Sequence, residues 1–160
     1  MAVLSGQYKT SYLTALTDTS STDKEGIGTM RLENGKLYRW VKFTTGTATL
    51  ASVVGGLVGF LATDKTMNTV CSDYSDCVAA LLAGQTLVAG ITTAYYCWIQ
   101  VGGVGAALTN DITSAAVGKT VSLSGDDQAL LLAADTTHPG GVIVDATAGA
   151  QKLFLQCLHI

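Results

Sequence analysis

From Met30 onward the sequence breaks into short apolar runs punctuated by glycine, serine, threonine, asparagine and aspartate, and this rhythm constrains the fold more than any single residue. Strands are satisfied by runs of about 4–8 residues between turn signals, whereas a packed helix needs a longer stretch with a 3.6-residue period. The runs are Val53 to Leu61, Leu87 to Thr92, Tyr95 to Val101, Thr120 to Ser124, Ala129 to Ala133, Gly141 to Asp145 and Lys152 to Leu158. Eighteen glycines against a single proline, Pro139, suit a sheet protein with many tight turns and bulges. The expected class is mostly β: a single-domain antiparallel sandwich or barrel with at most one short helix. That helix is placed near Asp76 to Ala83, with Ser75 as its N-cap and Gly84 just past its end.

The clearest local signal is Asn34-Gly35, a dipeptide that tolerates positive φ at both centres of a type I′ turn. It lies between Met30 to Glu33 and Lys36 to Phe43, so these read as a hairpin. Side chains alternate along a strand, which puts Lys36, Tyr38, Trp40 and Lys42 on one face and Leu37, Arg39, Val41 and Phe43 on the other. Both faces carry apolar area, and the basic residues around Trp40 mark a solvated or partner-facing edge. Upstream, Gly6 to Thr29 is rich in Thr and Ser and has no periodicity. Residues 1–29 are accordingly expected to form an extended N-terminal arm that buries little, ahead of one β-rich domain over 30–160. Removing Ser5 to Thr22 is expected to leave the β core folded.

A chain of 160 residues fills one domain of ordinary size. Its surface is harder to account for: 48% of residues are hydrophobic and 13% charged, where roughly 25% charged is usual. Such a chain is better suited to an assembly than to life as an isolated monomer. The net charge is −3, the pI about 5.1, and the basic residues are scattered from Lys9 to Lys152, which offers no footprint for direct nucleic-acid binding. The opening Met1-Ala2-Val3-Leu4-Ser5-Gly6 lacks the basic and apolar regions of a secretory signal. The longest apolar stretch, Leu50 to Ala62, is shorter than the ~20 residues of a membrane span and contains three glycines, so no membrane partner is expected. Without a signal, Cys71, Cys77, Cys97 and Cys157 are expected as reduced, buried thiols, with a bridge across the Cys71–Cys77 loop as the alternative.

Motifs for chemistry are incomplete. Val117-Gly118-Lys119-Thr120 ends like a phosphate-binding loop, but Thr113 stands where the first glycine belongs. Gly103-Val104-Gly105 opens like a dinucleotide fingerprint, but Leu108 replaces its third glycine, leaving a strand-end turn. No Gly-x-Ser-x-Gly elbow occurs, and Ser122 and Ser124 are alternate positions of one strand. The only histidines are His138 and His159, too few for a His-rich metal site. Asp73, Asp76, Asp126 and Asp127 lack the calcium-loop pattern, and Asp126-Asp127 reads as a solvated turn. No catalytic residue, metal or cofactor is expected. Tyr96, Trp98 and Gln100 share one face of a strand and suit either a sugar platform or a core and subunit contact, the second being the commoner use of such rings.

Gly35-Lys36-Leu37-Tyr38-Arg39-Trp40-Val41-Lys42-Phe43, followed by the Val/Gly stretch from Val53 to Phe60, resembles the opening of small decoration or cement proteins of tailed-phage heads. Tyr95-Tyr96-Cys97-Trp98-Ile99-Gln100-Val101-Gly102-Gly103, Gly141-Val142-Ile143-Val144-Asp145-Ala146 and Ala148-Gly149-Ala150 extend the resemblance in order along about half of the chain. It implies a homotrimer, made in the host cytoplasm and seated on the outer surface of the virion, that bridges major capsid subunits without catalysis. It also implies contact through terminal arms and one end of the sheet domain, for which Tyr8, Lys9 and Tyr12, with Arg39 and Trp40, are the candidates. The alternatives are another β-rich virion or surface binding module, such as a fibre domain or a carbohydrate-binding protein using Trp98 and the tyrosines, and a hydrolase with an unfamiliar site among scattered Asp and Ser, for which Asp126 and Asp127 are the residues to replace.

Overall fold

A computed structural model describes residues 11–109, 112, 114–123, 130–132 and 140–157. Among the described residues the regular structure is strand apart from one 3-10 turn, so the fold is all-β, as the short runs predict. In chain order the strands are β1 (Thr19–Ser20), β2 (Met30–Glu33), β3 (Lys36–Thr44), β4 (Leu57–Leu61), β5 (Thr69–Cys71), β6 (Cys77–Thr86), β7 (Tyr96–Val104), β8 (Thr120–Leu123), β9 (Leu130–Leu132), β10 (Gly141–Asp145) and β11 (Lys152–Gln156).

β7 organises the fold. One of its edges pairs with β3 from Lys42↔Tyr96 to Leu37↔Gly102. The other takes β1 at Tyr96 and Cys97, β6 at Ile99 and Gln100, and β11 from Gly102 to Val104. The β3–β7 pairing closes the path β3-β5-β4-β6-β7 into a five-stranded barrel. β11, β10, β8 and β9 continue the sheet outward from β7. β3 and β5 run parallel, an exception to the antiparallel pattern. The outward sheet also folds back on the barrel: a Cβ at Gly59 of β4 would lie 2.5 Å from Cδ1 of Leu123 on β8.

The hairpin forms as expected, with Glu33 opposite Lys36 and positive φ at both Asn34 and Gly35. Both faces of β3 are buried, each in a different way. Val41 and Phe43 join the main core with Val58, Phe60, Val70, Leu82, Ile99, Ile143, Leu153 and Leu155. Tyr38 and Trp40 form a second cluster with Trp98, closed by Tyr12, Leu16, Leu87 and Tyr96.

Three expectations are corrected. Residues 76–83 are not a helix: one 3-10 turn at Tyr74–Asp76, capped by Asp73 rather than Ser75, leads straight into β6. The Ala- and Leu-rich stretch has helical propensity, but ladder bonds to β4 on one side and β7 on the other outweigh a few tenths of a kcal/mol per residue. Leu87 to Thr92 is loop, because the Gly90 and Ile91 amides bond to the backbone and hydroxyl of Ser52 at 2.9 and 2.8 Å instead of to a strand. The 11–29 segment, expected to bury little, is packed against the β3 and β7 face, with Thr14, Ser20 and Glu25 buried. Its buried groups are polar and irregularly spaced, so they leave no apolar period in the sequence.

Candidate interaction surface

The residues expected to contact a partner are not gathered at one place. Trp40 is fully buried, which corrects its assignment to a partner-facing edge: its indole N–H donates to Asp23 Oδ1 at 2.8 Å and its ring stacks 6.3 Å from Tyr96. Tyr12 caps the same cluster, edge-on to Trp98 at 5.5 Å, with its hydroxyl donating to Met30 O at 3.0 Å. Arg39 points from the opposite face of β3, where it donates to Asn68 Oδ1 at 2.9 Å and lies over the Phe60 ring. Burial lowers the Arg39 pKa, against the opposing pull of Asp64. Tyr8 and Lys9 lie outside the described residues.

Trp98 is fully buried too, so it offers no platform to a sugar. Its indole N–H donates to Thr14 Oγ1 at 2.9 Å, and that hydroxyl donates to Glu25 Oε1 at 2.7 Å. The same carboxylate oxygen accepts the Leu13 and Thr14 amides, both at 2.7 Å. Arg31 completes the cap, donating to Thr14 O and placing its guanidinium 4.7 Å from the Tyr12 ring centre. Glu25 is thus the acceptor that ties the 11–29 segment over both tryptophans. Glu25→Ala strands the buried Thr14 amide and hydroxyl, at a cost of about 1–3 kcal/mol for an unmet buried group, and frees the half-buried Leu13 amide. A lower denaturant midpoint and a red shift in tryptophan emission are the expected results, with Glu25→Gln intermediate.

Other polar groups are engaged locally. Asp76 accepts from the Thr47 amide and hydroxyl, and Asp73 from the Ala48 amide, so the two carboxylates hold the 46–49 loop. A small cleft along the 51–58 segment contains Ser72, Tyr74 and Thr86, whose hydroxyls donate to the backbone oxygens of Leu50, Leu57 and Val53 respectively. Gly118 sits in a surface turn, its amide donating to Ile143 O at 2.8 Å, and Gly103-Val104-Gly105 ends β7. Among the described residues no three His, Cys, Asp or Glu side chains are grouped to hold a metal ion. Asp126, Asp127, His138 and His159 lie outside the described residues.

The surface that stands out is on the sheet beyond the barrel. On β11, Leu153 and Leu155 point into the core while Phe154 points outward. Phe154 is flanked directly by Val104 of β7 and Val142 of β10, and Val144, at a β-bulge two residues along β10, is exposed as well. Phe154, Val104 and Val144 are 39%, 43% and 41% exposed, and Val117, at the margin beside Gly118, is 68% exposed. An apolar strip therefore crosses three hydrogen-bonded strands. Sequence reasoning saw these strands but not the strip, because which alternate positions face outward depends on which face the barrel covers. No family model, curated protein or solved structure matches this chain.

Proposed function

We propose that this chain is a structural protein of a tailed-phage head, a decoration protein that seats its β7-β11-β10 apolar strip on the outer surface of major capsid subunits and bridges them as a homotrimer. The strip is the observation that carries this reading. It is apolar, lies on a hydrogen-bonded sheet that loses little conformational entropy on docking, and has an aromatic residue at its centre. The scarcity of charged residues favours the same use, since interface cores are depleted of charge. Phage identity comes from the sequence resemblance, docking from the surface.

A protein of this kind stabilises a shell by binding the assembled lattice better than free subunits, and repeated weak contacts give strong retention when the geometry lets them engage together. Phe154→Asp tests the assignment of the strip. Because Phe154 is partly exposed, the variant is expected to melt close to the parent yet bind empty heads at least about tenfold more weakly, equivalent to about 1.4 kcal/mol. Undiminished binding by a folded Phe154→Asp chain removes the strip from the account. The carbohydrate alternative has less support, since Trp40 and Trp98 are both enclosed.

A further inference from the structure

We propose that Cys71 and Cys77 are a modification site: a thiol pair that closes to an intramolecular disulfide on meeting a low-molecular-weight disulfide oxidant, fastening the end of β5 to the start of β6. The inference does not depend on the docking reading. The two cysteines flank the Tyr74–Asp76 turn, Cys71 closing β5 and Cys77 opening β6. The Cys77 thiol also reaches Asp73 O at 3.2 Å and Cys71 O at 3.7 Å, so it leans back over the β5 end. Two glycines make room for this: a Cβ at Gly59 would lie 2.6 Å from Cys77 Sγ, and one at Gly46 would lie 2.9 Å from Cys71 Sγ. Cys97 and Cys157 are placed differently. Cys97 lies within β7, and Cys157 donates to Gly140 O at 3.0 Å.

The pair is also chemically unequal. The hydrogen bond from Cys77 favours the Cys71 thiolate against the opposing effect of burial, while the same bond and burial hold the proton on Cys77. Burial pushes Cys97 and Cys157 up to about 12. Cys71 is accordingly the attacking group. Its thiolate attacks one sulfur of the oxidant, giving a mixed disulfide and releasing one small thiolate. Cys77 then loses its proton and attacks the Cys71 sulfur, releasing the second. Two protein thiols become one disulfide, one oxidant disulfide becomes two thiols, and the two protons end on the released thiols. Both cysteines are buried, and Gly46 lies against Cys71 Sγ, so the reaction proceeds through local opening of the 46–49 loop held by Asp73 and Asp76.

The test uses the whole chain and oxidised glutathione, both added to the folded protein and present as a redox buffer during refolding. Thiols are then counted after acid quench and denaturation, and linked peptides are mapped by mass spectrometry. The expected result is a fall from the four cysteines of the chain to two free thiols, with Cys71 joined to Cys77. Cys77→Ser is expected to stop at a glutathione adduct on Cys71. Retention of all four thiols under both regimes overturns the proposal, as does a bridge that includes Cys97 or Cys157.

Discussion

Trp98→Ala is expected to lower the stability of the fold by about 3–5 kcal/mol, the usual cost of truncating a large buried aromatic. Trp98 is fully buried within the second core, where it meets Trp40 at 5.3 Å, Tyr12 at 5.5 Å and the Thr14 hydroxyl at 2.9 Å. Its removal empties the space under the 11–29 segment and deprives the Thr14 and Glu25 network of one member. Against a typical total of about 5–15 kcal/mol, such a loss leaves the protein marginal. Urea unfolding followed by circular dichroism measures it. Trp98→Phe, which keeps much of the ring volume but not the indole N–H, should recover part of the loss. A Trp98→Ala chain within about 1 kcal/mol of the parent shows that the second cluster contributes little, and the packed role given to the N-terminal segment then fails.

Gly59→Val is expected to be comparably damaging for the opposite reason. Gly59 lies in the middle of β4, paired with Cys71 on one side and Leu82 on the other. A Cβ there would sit 2.5 Å from Leu123 Cδ1, 2.6 Å from Cys77 Sγ and 2.8 Å from Cys77 Cβ. All three distances are far inside van der Waals contact, and the neighbours are held by the barrel and by β8. Overpacking of this kind costs about 1–3 kcal/mol or more. At the upper value the melting temperature of a chain this size falls by about 6–12 °C. A thermal melt checks it, and a melting temperature unchanged by Gly59→Val means that β8 does not press on β4 as described.

Much of the architecture is legible in the residues. Asn34-Gly35 specifies its turn through backbone sterics that involve no distant partner, and the hairpin forms as read. The runs at Thr120, Gly141 and Lys152 become strands because alternation and flanking turn residues are local properties too. What is not legible depends on partners remote in sequence. Residues 77–86 have helical propensity and become a central strand only because β4 and β7 supply ladder bonds on both sides. In the 11–29 segment Glu25 gathers the Leu13 and Thr14 amides of the segment itself, while Asp23 accepts the indole N–H of Trp40 and the Thr14 hydroxyl that of Trp98. No periodicity announces such contacts. Trp40 illustrates the limit for function: its strand face is correctly predicted, but that face is covered by the chain itself. The apolar strip around Phe154 emerges only once the barrel has fixed which side of β11 is inward.

The most direct test of the central proposal is co-sedimentation of the purified chain with empty heads of the phage proposed to encode it, across a concentration series. Saturable binding at a fixed ratio to the major capsid protein is the result predicted. A folded chain that stays in the supernatant at every concentration contradicts it.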